Sequence, residues 1–182
     1  DIIKIAIRAK DTVDWDYTIS NKDRLSIKII RAVPLNLGYL LGKMQFLNIL
    51  SMGIYKLFDE KKFFEISFDA NVDEEEIPFI EEIIKHSFDM TKEINLKKPI
   101  ITKKEIIIDC NHTEELAMMK IKTKDQKGLF SYIAKKFDDF GVEINSAKIQ
   151  SLRGKANDLL LISKNGHFCK NKDEILNQLI EE

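Results

Sequence analysis

The sequence predicts an α+β protein built from two tandem copies of one two-layer unit, an antiparallel sheet with helices on one face. Three observations predict it. Strand-like and helix-like stretches recur in the same order in both halves of the 182 residues. The apolar alternation breaks at the same place in each half. Each half then closes on an apolar helix that opens with acidic residues.

Residues 14–30 read as strand, polar turn, strand, and residues 104–123 read the same way. A turn and a helix follow each time, over 32–44 and 124–136. Two more strands come next, 47–58 with 61–69 and 142–152 with 155–163. The closing helices span 75–88 and 172–181. In the second half Val142 and Ile144 share one parity, and the apolar set then switches to Ala147 and Ile149. In the first half Leu47 and Ile49 switch to Met52 and Ile54. A three-residue step breaks a period of two, so each of these strands is expected to carry a bulge.

The helix after residue 128 shows an i, i+4, i+8 stripe of Leu129, Ile133 and Phe137, with Ala134 and Phe140 beside it. Lys135, Asp138 and Asp139 are expected to face out, and Gly141 to stop the helix. Asn171 with Glu174 predicts a capping box for the last helix. Pro78 belongs in a first turn, which starts the earlier closing helix near Glu75. Residues 1–12 are expected to be a helix left from an upstream segment, since the chain opens at Asp1 without methionine. The organisation is then a unit over 13–90, a linker over 91–102 and a unit over 103–182.

Each unit reads strand-strand-helix-strand-strand-helix. That is a ferredoxin-like sandwich in which a leading hairpin strand (15–20, 105–111) replaces the usual terminal strand. The prediction is that these strands pair antiparallel with 25–31 and 116–123.

Lysine and arginine number 29 against 30 acidic residues, a net charge of −1, with 44% hydrophobic residues. That balance gives neither a nucleic-acid footprint nor a solvating acidic tail. No apolar run is long enough for a membrane span. Two cysteines, Cys110 and Cys169, make no disulfide framework, so a reducing cytoplasm is the simple reading. Cys110 with His112 is too small a set for zinc. His86 and His167 fall at a helix end and a turn. The run 61–68 echoes an aromatic RNA-binding strand but lacks its glycines, so Phe64, Ile66 and Phe68 are expected in the core. Residues 73–76 are a helix start favoured by the macrodipole. Asp158 is a candidate acid with no partner nearby in sequence. With no phosphate loop, nucleophile elbow or paired-carboxylate metal motif, this chain is expected to do no chemistry itself and to carry no metal or cofactor.

The chemistry-bearing stretch is Lys124-Asp125-Gln126-Lys127-Gly128, a polar loop between a strand and a helix. Read alone, it is a turn relieved by glycine. It also presents backbone N–H groups at a helix N-terminus, which suits a carboxylate.

This stretch carries a resemblance. Asp125, Gly128 and Leu129, then Gly141, Val142, Ile144, Ala147 and Ile149, follow the pattern of the ACT domain, a ligand-sensing module of amino-acid metabolism. Residues 124–149 with 157–162 are similar to the last ACT domain of GlnD-type bifunctional uridylyltransferase/uridylyl-removing enzymes. The likeness is good over 116–182 and only architectural over 14–90. Lys127 stands where the family has proline. In the first half Val33, Pro34, Leu35 and Asn36 stand where its loop would be, and Asn36 there can take a left-handed turn.

The resemblance implies a tandem ACT region in the cytoplasm that senses an amino acid, glutamine, and regulates an enzyme acting on PII signal proteins in nitrogen metabolism. The implied site is Asp125, Gln126, Lys127, Gly128 and Leu129, with Asn145 and Ser146 on the bulged strand. UTP and Mg2+ or Mn2+ would belong to the parent nucleotidyltransferase and hydrolase domains. A regulatory module of another amino-acid or stringent-response enzyme, and a ligand-free dimerisation unit, remain alternatives. ACT units pair within one chain or between two.

Overall fold

A computed structural model describes residues 14–57, 59–164 and 167–180, so the helix expected over 1–12 lies outside the described residues. The chain runs β1 (Trp15–Asn21), β2 (Leu25–Arg31), α1 (Leu37–Lys43), β3 (Ile49–Lys56), β4 (Lys62–Phe68) and α2 (Ile77–His86). The same sequence repeats as β5 (Ile106–Asp109), β6 (Leu116–Lys124), α3 (Leu129–Asp139), β7 (Ile144–Leu152), β8 (Lys155–Ser163) and α4 (Lys172–Leu179). A 3-10 turn at Glu74–Glu76 leads into α2, and another at Lys103–Glu105 takes the first residue expected of β5.

All eight strands form one antiparallel sheet in the order β1-β2-β4-β3-β7-β8-β6-β5. The order reads alike from either edge, with β3 and β7 as the seam from Ser51↔Gln150 to Ile54↔Ala147. The leading strands pair where expected, β1 with β2 and β5 with β6. This layout is compatible with ferredoxin-like folds. The register slips between Ile49 and Ser51 and again between Ile144 and Ser146, at the two breaks in apolar alternation.

Inward residues of every layer join one core: Ile27, Met52, Phe64, Ile66 and Phe68 from one half, Met119, Ala147, Ile149 and Leu160 from the other, beneath Leu40, Ile80, Ile133 and Ile175 of the helices. Among the described residues a separate small cluster, Ile30 with Phe63 against Leu57, lies on the outer face. The segment 91–102 is irregular but packed. Ile101 is fully buried, and the Asn36 side chain donates to the Lys92 carbonyl at 2.9 Å.

Helix ends explain much of the local geometry. Val142 N–H returns to the Phe137 carbonyl at 2.8 Å and Gly141 N–H to Asp138 at 3.0 Å, the double bond that ends a helix on a left-handed glycine. Pro78 sits in the first turn of α2, and Glu76 accepts from the Asp73 N–H at 3.1 Å.

Three expectations about the helices and their ends need correction. Asn36 is not left-handed (φ −75°); it caps α1, accepting from the Tyr39 N–H at 3.1 Å. Asn171 makes no capping bond, because its amide instead donates to the His167 carbonyl at 2.9 Å. Asp138 does not face out. The halves pack α1 on α3, and Gly38, whose added Cβ would stand 2.8 Å from Lys135, brings its own N–H to the Asp138 carboxylate.

Cys110 and Cys169 form a disulfide, Cα atoms 5.9 Å apart, between the end of β5 and the approach to α4. Cysteine usage therefore no longer argues for a reducing compartment, as the sequence reading had it. No helix among the described residues is long and apolar enough to cross a membrane.

Candidate functional site

The loop between β6 and α3 opens onto a cavity of about 330 Å³ at the junction of the two halves. Its walls are the loop itself, the end of α1 with the start of β3, and the β7–β8 turn. Asp125, Gln126, Lys127, Gly128 and Leu129 all line it. Asn145 and Ser146 do not.

That division follows from the seam. Because β3 and β7 pair antiparallel, each loop faces the other half's strand. The loop 125–129 therefore meets Asn48, Ile49 and Leu50 of β3 and its approach, beside the first-half bulge. Asn145 and Ser146 belong to the equivalent bulge on β7, which lies beyond the opposite end of the β3–β7 pairing.

Each loop residue has a definite environment. The Asp125 N–H bonds the Gly154 carbonyl at 2.9 Å, pinning the loop to the β7–β8 turn. Gln126 clamps the linker, donating to the Ile100 carbonyl at 2.7 Å and accepting from its N–H at 2.8 Å. Lys127 is exposed. Gly128 sits at φ 78°, ψ 7°, a left-handed position that glycine takes at no steric cost. Leu129 is buried and anchors α3 in the core.

Sequence reasoning missed Gln45, Ser131 and Arg153. Gln45 reaches across from the turn after α1 and donates to the Ser131 hydroxyl at 3.1 Å, directly in front of Gly128. Only the packing of α1 against α3 brings Gln45 to Ser131, and Arg153 comes in on the β7–β8 turn, so no local motif signals the set.

Asp158 gains the partner it lacked in sequence. It is 1% exposed, lines the same cavity as Asp125, and accepts from the Gln150 N–H at 3.3 Å. Burial pushes its pKa up to about 7, and the Asp125 charge adds to that. The cavity thus offers Asp125 as an acceptor and, in Asp158, a carboxyl that keeps its proton into the neutral range and can donate. The Leu129 N–H is spent on the Gln126 carbonyl at 3.1 Å, and the N–H groups that follow it in the first turn of α3 complete a set matched to carboxylate, ammonium or carboxamide.

Among the described residues no three metal-ligating side chains cluster, and Cys110 is tied up in its disulfide. No protein-family model matches this chain, and no curated protein does.

Proposed function

We propose that this chain is an allosteric amino-acid-sensing region, two ACT-like units paired through one sheet, and that its ligand is glutamine. The observation that carries the reading is the loop Asp125–Leu129 opening on a cavity shared by both halves. At about 330 Å³ the cavity is at the small end of the roughly 300–1,000 Å³ of ligand clefts, which fits one amino acid better than a nucleotide. In this reading the α3 N-terminus takes the carboxylate and Asp125 the ammonium. Asp158 and Asp125 give an amide side chain one donor and one acceptor.

The resemblance extends the proposal to a parent uridylyltransferase/uridylyl-removing enzyme acting on PII proteins, with UTP and Mg2+ or Mn2+ used in domains outside this chain. Glutamine shifts such an enzyme only if it binds two arrangements of the halves unequally. The cavity spans the seam, so a change in how the halves meet would alter its walls.

A second reading, a pairing module without ligand, is favoured by one contact. Gln45 already fills the space before Gly128.

Calorimetry of the chain against the twenty amino acids separates the two. Saturable glutamine binding that Asp125→Ala weakens by about 1–3 kcal/mol supports the sensor. Heat of dilution alone for all twenty supports the module.

A further inference from the structure

The outer face of the second half carries one sign of charge. On β6, β7 and β8 the positions Met119, Ile121, Ala147, Ile149 and Leu160 are in the core. The alternate positions of these strands therefore point outward, away from the helices. They carry Lys120, Lys122, Lys124, Lys148 and Lys155 and no carboxylate. All but the half-buried Lys120 are exposed, and none of the five makes an ion pair among the described residues. On β5 the outward acid, Asp109, accepts from the Asn111 N–H at 2.8 Å.

The strand register gathers these lysines into a patch. Ile107, Lys120, Leu159 and Lys148 stand in one row across β5, β6, β8 and β7, and Lys124, Lys155 and Leu152 stand in another. Along β6 the lysines recur every second residue, about 7 Å apart. Lys124 lies directly opposite Lys155, where like charges cost stability. Among the cations aliphatic side chains are held in water: Leu152 is 71% exposed, Ile107 55% and Leu159 37%. The fold itself demands none of this. On the same face of the first half, Lys28 is paired with Glu65 at 3.7 Å, and Ser26 lies opposite Ser20 and Ser67. With 29 basic and 30 acidic residues in the chain, a face that only needs solvation would mix the signs.

We infer that this face docks on an anionic lipid surface. Lysine is a compact point charge suited to a diffuse negative surface, and several together hold a protein there. Leu152, Ile107 and Leu159 add apolar area that can be buried between headgroups. Single-stranded nucleic acid fits less well, because no outward residue of β5–β8 is an aromatic on which a base could stack. A second copy laid face to face would set lysine against lysine. The contact is peripheral and needs no segment that crosses the bilayer. The near-neutral whole chain hides the patch because acids gather elsewhere, as at Asp73, Glu74, Glu75 and Glu76 before α2. The inference goes beyond the glutamine reading and does not depend on it.

The test floats the full chain with vesicles of phosphatidylcholine alone and of phosphatidylcholine mixed with phosphatidylglycerol. It should rise with the anionic vesicles, stay behind with the neutral ones, and be released by high salt. Each cation near such a surface contributes about fivefold in binding, so Lys122→Glu with Lys155→Glu should weaken it tenfold or more. Leu152→Ser should weaken it severalfold, and Lys85→Glu on α2 should leave it unchanged. Thermal melts check that the variants fold. Should one not fold, acetylation of the wild-type protein decides, since anionic vesicles should shield Lys122, Lys148 and Lys155 but not Lys85. No binding to anionic vesicles, equal binding to neutral ones, or labelling that vesicles do not change overturns the inference. Capture of single-stranded or duplex DNA in preference to anionic vesicles overturns it as well.

Discussion

Gln45, in the turn that follows α1, stands against Gly128 of the α3 loop, so close that a Cβ on Gly128 would lie 2.6 Å from the Gln45 side-chain nitrogen. One side chain from the first half thereby covers the helix N-terminus of the second. Two separate costs then attach to any larger residue at position 128. The left-handed backbone costs about 1–2 kcal/mol for a residue with a Cβ, and Gln45 must also move. Gln45→Ala removes the second cost alone. In denaturant unfolding, Gly128→Ala should therefore be less destabilising in a Gln45→Ala background than in the wild type. Strictly additive changes would mean that Gln45 gives way freely.

Asp158 should make the protein less stable as pH rises. Its folded pKa of about 7 lies above the ordinary 3.8, so the native state holds the proton more tightly than the unfolded chain does. The burden is absent below the unfolded value, grows between about 4 and 7, and is complete above. Asp158→Asn keeps an acceptor for the Gln150 N–H without the charge. It should flatten the stability profile across that window and stabilise the fold at pH 8 by on the order of a few kcal/mol. Asp138 titrates in the same direction, so the readout is the difference between wild type and variant melts.

Asn36→Ala should cost more than a loop substitution normally does. The side chain is 4% exposed, caps α1 through the Tyr39 N–H and holds the linker at the Lys92 carbonyl. Loss of such a cap costs about 0.5–2 kcal/mol, and the bond to the linker adds to it. Asn171→Ala is the contrast, since that side chain caps nothing and should stay within about 0.5 kcal/mol of wild type. Thermal midpoints of the two variants measured side by side decide the matter.

What the sequence disclosed was what period and punctuation encode. The bulges at Ile49/Ser51 and Ile144/Ser146 were visible because one extra residue reverses the faces of everything after it. The loop 125–129 was visible because glycine and acid sit where a strand hands over to a helix. The far wall was not, because the pairing of β3 with β7 decides which strand each loop faces. Asp138 illustrates the same limit. Helical periodicity places it away from the Leu129–Phe137 stripe, yet α1 packs there, and Gly38 within a helix was the only trace of so close an approach.

The disulfide supplies the last prediction. Cys110 follows β5, an edge strand of four residues, and Cys169 precedes α4. Neither element is strongly held otherwise: β5 has a single strand neighbour, and only Ile175 and Leu179 of α4 are buried. Bridging a separation of 59 residues restricts the unfolded chain by about 4 kcal/mol in the loop-entropy account. Reduction should therefore lower the thermal midpoint, and Cys110→Ser with Cys169→Ser should lower it equally and abolish the response to reductant. The loss should be local first. Amide exchange in β5 and α4 should quicken more than in β8, which is paired on both sides. Two free thiols in the denatured, unreduced protein would show that the bridge does not form, and a midpoint indifferent to reductant would show that it does not hold these edges in place.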